Sequence, residues 1–135
     1  MTVKKRIFVN GSFDILHVGH LRLLNYARSL GDYLLVAIDT DRRIKELKGF
    51  DRPINNIYER KTMLQNLKAV NEVQVFDSDN DLIHILEAYK PNIIVKGSDH
   101  QHTSKLSHEH CEEVIFYERF GNYSTTKKIL NITAR

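Results

Sequence analysis

The sequence predicts an α/β fold, with a doubly wound, five-stranded parallel sheet of the Rossmann-like kind. Short apolar runs alternate with helical periodicities along the chain, and this alternation is typical of parallel sheets with crossover helices. One run, residues 33–38, is apolar throughout, as expected for a central strand that is covered on both faces. These observations favour a single small α/β domain over a helical bundle or an all-β protein.

Five short apolar runs predict the strands. Each is rich in isoleucine, valine, leucine or phenylalanine, and each is too short for a typical buried helix. The predicted strands are residues 7–10, 33–38, 72–76, 92–95 and 114–116.

The first helix is predicted over residues 19–30. Leu21, Leu24 and Ala27 recur at three-residue spacing and form one apolar stripe. Gly31 is expected to end the helix, because glycine is common just beyond a helix C-terminus.

Later helices follow from the same periodicity, over residues 57–67, 79–89 and 124–132. In the second of these, Leu82, Ile83 and Leu86 are expected to point inward, with Pro91 just past the end. Two polar segments have no such pattern. Residues 39–56 contain Gly49 and Pro53 and predict a long loop that could include one helical turn. Residues 100–110 are expected to be irregular and could also include a helical turn.

Size and composition limit the functional classes. The chain has 135 residues, 41% of them hydrophobic and 27% charged, which suits one domain spanning residues 1–135. A net charge of +3, spread along the chain, does not predict nucleic-acid binding. A single cysteine, no membrane-length apolar run and no secretory signal pattern predict a cytoplasmic protein that does not associate with membranes.

Polar motifs follow four of the predicted strands. In a doubly wound sheet the carboxyl ends of the strands share one edge, and ligands bind there near the point where strand order reverses. Distant parts of the chain are therefore expected to meet at one site. The motifs are residues 10–20, 39–41, 96–99 and 117–126.

His17 and His20 are the strongest candidate site residues. They lie three residues apart at a predicted helix start, so they share a face beside free backbone N–H groups that favour an anion. Gly19 between them allows phosphates to approach the backbone. Two satisfied, partly buried histidines with no ligand would fit the spacing equally well.

Other candidate residues also have structural alternatives. Asp14 could orient a ligand, although helix capping is the simpler interpretation. Lys45 and Lys48 could close over phosphates from a mobile loop, or be solvated charges. Arg60 occupies the inner stripe of its predicted helix, where it either extends to solvent or points into a polar site.

Two further segments carry possible ligands. Ser124, Thr125 and Thr126 precede the last helical periodicity and could form a second anion site, or only cap the helix. A cluster of histidines and one cysteine has spacings that zinc sites use, but no matching pair of ligands lies elsewhere. Adventitious binding of nickel or zinc is therefore favoured over a structural metal site, and metal binding stays an open question for this cluster, which comprises His100, His102, His108, His110 and Cys111.

These motifs together resemble the cytidylyltransferase-like nucleotidyltransferases. Residues 10–20, NGSFDILHVGH, are similar to the family's strand–loop–helix signature with its H-x-G-H element intact. Residues 123–127, YSTTK, are similar to its second signature, I-S-T-T. The likeness covers essentially the whole chain in the right order and implies a Rossmann-like nucleotidyltransferase fold.

Two relatives within the family compete. Residues 47–55, LKGFDRPIN, and 94–99, IVKGSD, resemble the heptose 1-phosphate adenylyltransferase module of ADP-heptose synthases. Arg119 instead matches an arginine in the R-T-E-G-I-S-T-T stretch of glycerol-3-phosphate cytidylyltransferase, which makes CDP-glycerol from CTP. The motifs favour the first and leave the second open.

The resemblance implies roles for individual residues. His17, His20, Lys48 and Arg60 would form the catalytic group. A larger set would bind nucleotide or phosphates, comprising Asn10, Gly11, Ser12, Phe13, Asp14, Gly19, Lys45, Lys96, Gly97, Asp99, Arg119, Ser124, Thr125 and Thr126.

The implied reaction transfers a nucleoside monophosphate from ATP or CTP to a small phosphorylated acceptor and releases pyrophosphate. Mg²⁺ is expected as the cofactor, bound mainly through the nucleotide phosphates. A homodimer is expected on the family resemblance alone. A non-catalytic nucleotide-binding module on the same fold remains the alternative of another class.

Overall fold

A computed structural model of the chain describes residues 4–97, 108–118 and 129. It confirms the predicted fold, since the described strands form one parallel sheet in the order β3-β2-β1-β4-β5. The strands are β1 (Arg6–Gly11), β2 (Tyr33–Asp39), β3 (Glu72–Phe76), β4 (Ile93–Gly97) and β5 (Glu113–Tyr117). The helices are α1 (Val18–Ser29), α2 (Asp41–Lys48), α3 (Ile57–Gln65) and α4 (Asp79–Tyr89).

Strand order reverses between β1 and β4. β1 pairs with β2 on one side and with β4 on the other, in parallel register on both. The chain therefore winds outward in opposite directions from this central pair. Ligands of such sheets bind in the crevice at the carboxyl ends of the central strands, and here the segment that leads from β1 to α1 lies at that crevice.

Helices cover both faces of the sheet. Leu24 and Ala27 of α1 and Leu64 of α3 pack on one face, against the buried Val9 and Val36 among others. On the other face, Leu82 and Leu86 of α4 pack in a second cluster with residues that include Phe8, Leu35 and Ile94. The central strands are therefore buried on both sides, which explains the unbroken apolar run in β2.

The segment after β2 corrects one expectation. Residues 41–48 form the helix α2, where a long loop was predicted. The Thr40 hydroxyl accepts a hydrogen bond from the Arg43 backbone N–H, at 3.2 Å, and so caps the helix. Ile44 is the single buried residue of α2. Ile44 and Leu47 are the two apolar residues among its eight, so the helix is short and mostly polar and resembles a loop in the sequence.

Two details of α1 also differ from expectation. Leu21 is 37% exposed, so only Leu24 and Ala27 of the predicted stripe are buried. Leu30 is the C-cap, with right-handed backbone angles, so the helix does not need Gly31 to adopt a left-handed conformation there. A Cβ atom on Gly31 would lie 2.7 Å from the Lys5 carbonyl oxygen. Gly31 is needed for this close approach to the chain before β1.

The remaining predicted elements that lie within the described residues are confirmed with small shifts. β4 is longer than predicted and includes Lys96 and Gly97, and the irregular segment ends in a short 3₁₀ turn at His108–His110. The predicted closing helix, residues 124–132, lies outside the described residues except Ile129, which is helical. None of the described helices has the length and apolar character to cross a bilayer.

Candidate active site at the carboxyl edge of the sheet

The segment between β1 and α1 is shaped by a buried phenylalanine. Phe13 is 5% exposed and has a φ of 49°, which is uncommon for a residue with a side chain. A Cβ atom on Gly11 would lie 3.0 Å from the Phe13 ring, so Gly11 leaves room for it. The Phe13 ring centroid lies 5.1 Å from that of His20. Phe13 is therefore part of the wall against which His20 is placed.

His17 and His20 form a stacked pair at the start of α1. Their ring centroids are 3.8 Å apart, with 22° between the ring planes. His17 is the N-cap residue, and its backbone N–H donates to Nδ1 of His20 at 3.2 Å. Because Nδ1 accepts this bond, the neutral His20 ring carries its proton on Nε2. Gly19 lies beside them in the first turn of α1. The pair thus offers an N–H donor at a helix N-terminus.

His20 is held in its neutral form. Burial lowers its pKa to about 3, and the positive charges of His17 and Lys48 act in the same direction. The His20 ring can become positively charged only when an anion binds nearby and offsets its burial and the neighbouring positive charges. This environment suits the binding of an anion such as phosphate.

Lys48 places a cationic group beside this segment. Its ammonium lies 3.5 Å from the Ser12 hydroxyl oxygen. Desolvation and the charge of Arg52 lower the pKa of Lys48, partly opposed by Asp39 and Asp14. Lys45 instead donates to the Arg52 carbonyl at 3.4 Å. Both lysines belong to the last turn of α2, so they do not lie on the predicted mobile loop.

Arg60 is buried and bound to protein groups. It is 1% exposed, which excludes the interpretation that it extends to solvent. Its guanidinium donates to the carbonyls of Asn55 and Ser12, both at 3.1 Å, and pairs with Asp41 at 2.7 Å. Arg60 therefore joins α3, α2 and the segment after β1. Its predicted catalytic role stays a prediction, and in this structure it positions its neighbours.

Asp14 does not cap α1, contrary to the simpler sequence-based interpretation. Its carboxylate accepts hydrogen bonds from the backbone N–H groups of Ile54 and Asn55, at 2.9 and 2.8 Å. His17 occupies the N-cap position instead. Sequence analysis missed Asn55 as its partner, because the contact joins residues 41 positions apart.

The acidic residues of this edge are engaged by protein donors. Asp41 pairs with Arg60, and Asp39 lies 3.3 Å from Arg43 and 3.5 Å from the Ser12 hydroxyl. Within the described residues, no three histidine, cysteine, aspartate or glutamate side chains are grouped as a metal would require. These groups fit Mg²⁺ that is held through nucleotide phosphates better than Mg²⁺ held by a cage of side chains.

Lys96, a predicted site residue, is not brought to the histidine pair. Lys96 is buried, and its ammonium lies 5.8 Å from the centroid of the Phe116 ring. Lys96 lies two positions after Ile94 in β4, so both side chains are on the same face of the sheet, which α4 covers. The histidine-bearing helix α1 covers the opposite face. Five predicted site residues lie outside the described part of the chain: Asp99, Arg119, Ser124, Thr125 and Thr126. Asn10 and Gly11 end β1, and Gly97 ends β4.

Comparison with known proteins identifies relatives over most of the chain. The cytidylyltransferase-like family matches residues 8–129. The bifunctional protein HldE of Helicobacter hepaticus is 42% identical over 128 residues, which are 95% of this chain and 26% of that protein. HldE of Campylobacter fetus is 40% identical and covers 96% of this chain and 28% of its own length. The chain thus spans about a quarter of these curated relatives.

A solved structure supports the fold. The lipopolysaccharide core biosynthesis protein of Thermoplasma volcanium superimposes with a TM-score of 0.73 at 22% identity, covering 88% of this chain and all of that one. At this identity the likeness concerns the fold alone. Together with the family match over residues 8–129 and the H-x-G-H pair at the strand-order switch, these findings show that the chain belongs to the cytidylyltransferase-like family of nucleotidyltransferases.

Proposed function

We propose that the protein transfers adenylate from ATP to a heptose 1-phosphate-type sugar phosphate, giving an ADP-sugar and pyrophosphate. The observation that carries the proposal is the stacked His17–His20 pair, with His20 held neutral, at the start of α1 in the crevice beside β1 with Lys48 close to the same segment. The similarity to HldE proteins over nearly the whole chain supports this choice of substrates.

The reaction needs little proton transfer. An acceptor phosphate oxygen attacks the α-phosphorus and forms a new P–O bond, while the bond from the α-phosphorus to the bridging oxygen breaks and its electron pair leaves with pyrophosphate. A phosphate monoester is already nucleophilic near neutral pH, so catalysis depends on alignment and on neutralising charge. Mg²⁺ bound to the triphosphate would supply part of that neutralisation.

Residues of this chain would neutralise the rest of the charge that develops on the phosphates. The Nε2–H group of His20 would donate to a phosphate oxygen as negative charge develops, since its Nδ1 is already occupied by the His17 N–H. Lys48 would hold phosphate charge from the end of α2. The N–H groups in the first turn of α1 would add the helix-terminal contribution that favours an anion. We also propose, from the family resemblance, that the protein is a cytoplasmic homodimer.

A substrate matrix tests the proposal. Pyrophosphate release would be measured with ATP or CTP against heptose 1-phosphate or glycerol 3-phosphate, with Mg²⁺ present. We expect turnover with ATP and the heptose phosphate. Release with only CTP and glycerol 3-phosphate would replace the proposed substrates by those that the motif around Arg119 suggests. Nucleotide binding without release under any combination would support the non-catalytic module and refute the transfer reaction.

A further inference from the structure

We propose that Asp14 is a positioning residue, which fastens the histidine-bearing segment after β1 to the connector between α2 and α3. The connector is residues 49–56. The inference rests on the proposed function, because the property it explains is the placement of Lys48 relative to the histidine pair. In this account Asp14 acts through the connector and contacts neither nucleotide nor metal.

Both carboxylate oxygens of Asp14 accept hydrogen bonds from backbone N–H groups. The residue is 3% exposed. Oδ2 accepts from the Ile54 N–H at 2.9 Å, and Oδ1 accepts from the Asn55 N–H at 2.8 Å. Arg52 lies 3.5 Å from Oδ2. Two backbone N–H donors directed at one ionised carboxylate are charge-assisted hydrogen bonds, which are stronger than neutral ones.

Asn55 completes a reciprocal contact. Its side-chain amide donates to the Asp14 backbone carbonyl at 2.9 Å, in addition to the bond from its backbone N–H. The Asn55 carbonyl in turn accepts from Arg60, which also donates to the Ser12 carbonyl. The connector is therefore joined to residues 12–14 by both Asp14 and Arg60. Neither of these two connections depends on an exposed ion pair, and exposed ion pairs contribute little to stability.

The contact of Asp14 with the connector is expected to determine the position of Lys48. Lys48 is the last residue of α2, directly before the connector, and its ammonium is 3.5 Å from the Ser12 hydroxyl. α2 is held at its start, because Asp41 pairs with Arg60. The Asp14 contact holds the far end of the connector. Loss of this contact weakens the connection between the connector and residues 12–14, which Arg60 would still bridge, so Lys48 is expected to be less well placed for the triphosphate.

Two variants and a matched control test the proposal. Asp14→Asn removes the charge and replaces one acceptor oxygen by an N–H group facing a backbone N–H. Asn55→Ala removes only the side-chain bond to the Asp14 carbonyl. Asp51→Asn makes the same chemical change as the first variant at an exposed position of the connector. Hydrogen exchange at the Ile54 and Asn55 amides and the KM for the nucleoside triphosphate are measured for each.

In Asp14→Asn we expect the two amides to exchange about tenfold faster or more, and the KM for triphosphate to rise by a similar factor. Asn55→Ala should show a smaller change in the same direction, and Asp51→Asn none. If Asp14→Asn does not fold, Asn55→Ala carries the comparison.

Unchanged amide exchange in Asp14→Asn would overturn the proposal. If that unchanged exchange came with a raised Mg²⁺ requirement, Asp14 would be a metal ligand and not a positioning residue. If the wild type released no pyrophosphate, the proposed function would fail, while amide exchange would still test the Asp14 contact.

Discussion

Two properties distinguish His20 from an ordinary surface histidine. Its ring is uncharged far below neutral pH, because burial and neighbouring positive groups lower its pKa to about 3. Its tautomer is also set, because the His17 N–H occupies Nδ1. A neutral donor of fixed orientation can stabilise charge that develops in a transition state without reorganising. The local environment therefore explains why a histidine, and not a lysine, occupies this position.

Removal of either imidazole should abolish most of the activity and leave the fold intact. We expect His17→Ala and His20→Ala to lower kcat by on the order of 10²–10³, the usual effect of losing one transition-state donor. His84→Ala is the matched control, since His84 is an exposed histidine of α4. Steady-state pyrophosphate release and circular dichroism would be measured together. Near-normal turnover in both histidine variants would contradict the site.

His20 should titrate only in strongly acidic solution, and bound triphosphate should raise its pKa. The folded-state value of about 3 lies below the ordinary 6.5, so the unfolded chain takes up a proton at His20 in this range and the folded chain does not. The free energy of unfolding should therefore fall as the pH decreases from 6.5 towards 3. NMR of the histidine rings, with and without ATP, follows the titration. A His20 pKa near 6.5 in the free protein would refute the buried neutral form.

At the level of elements, α4 offers a test of local backbone conformation. Its C-cap, Lys90, has left-handed angles of φ 52° and ψ 67°, which favour glycine. Lys90→Gly should raise the free energy of unfolding by roughly 0.5–1 kcal/mol, while Glu87→Gly within α4 should lower it by about 1 kcal/mol. Urea denaturation measures both. A loss of stability in Lys90→Gly would show that the lysine side chain outweighs the backbone term.

The elements that sequence analysis predicted well are those with many buried residues. β2 has six buried positions in succession. In α4, Leu82 and Leu86 are buried as expected, whereas Ile83 is only partly buried and Ile85 packs against the core instead. α2 escaped prediction because it is short and mostly polar. The histidine pair could be found from its spacing, since both residues lie in one turn. The contact of Asp14 with Asn55 could not, because it depends on how two distant segments pack.

At the scale of the whole molecule, a nucleotide that binds in the crevice at the strand-order switch is expected to stabilise the folded protein. A ligand that binds only the folded protein adds about 2.7 kcal/mol at a concentration one hundred times its dissociation constant. We expect ATP with Mg²⁺ to raise the melting temperature in a concentration-dependent manner, and to do so more than CTP. His20→Ala should lose most of this shift. Equal shifts by both nucleotides would argue against selection of the base in the binding step.

The central pair of strands also determines when the crevice can form. β1 pairs with β2 about 27 residues along the chain, as in Ile7↔Leu34, but with β4 only across 86 residues, as in Ile7↔Ile93. Pairings of such long separation cost more loop entropy and form slowly. During synthesis, β1, β2 and the histidine segment emerge long before β4. The crevice at the carboxyl ends of β1 and β4 is therefore expected to close late in folding, only after β4 has been added.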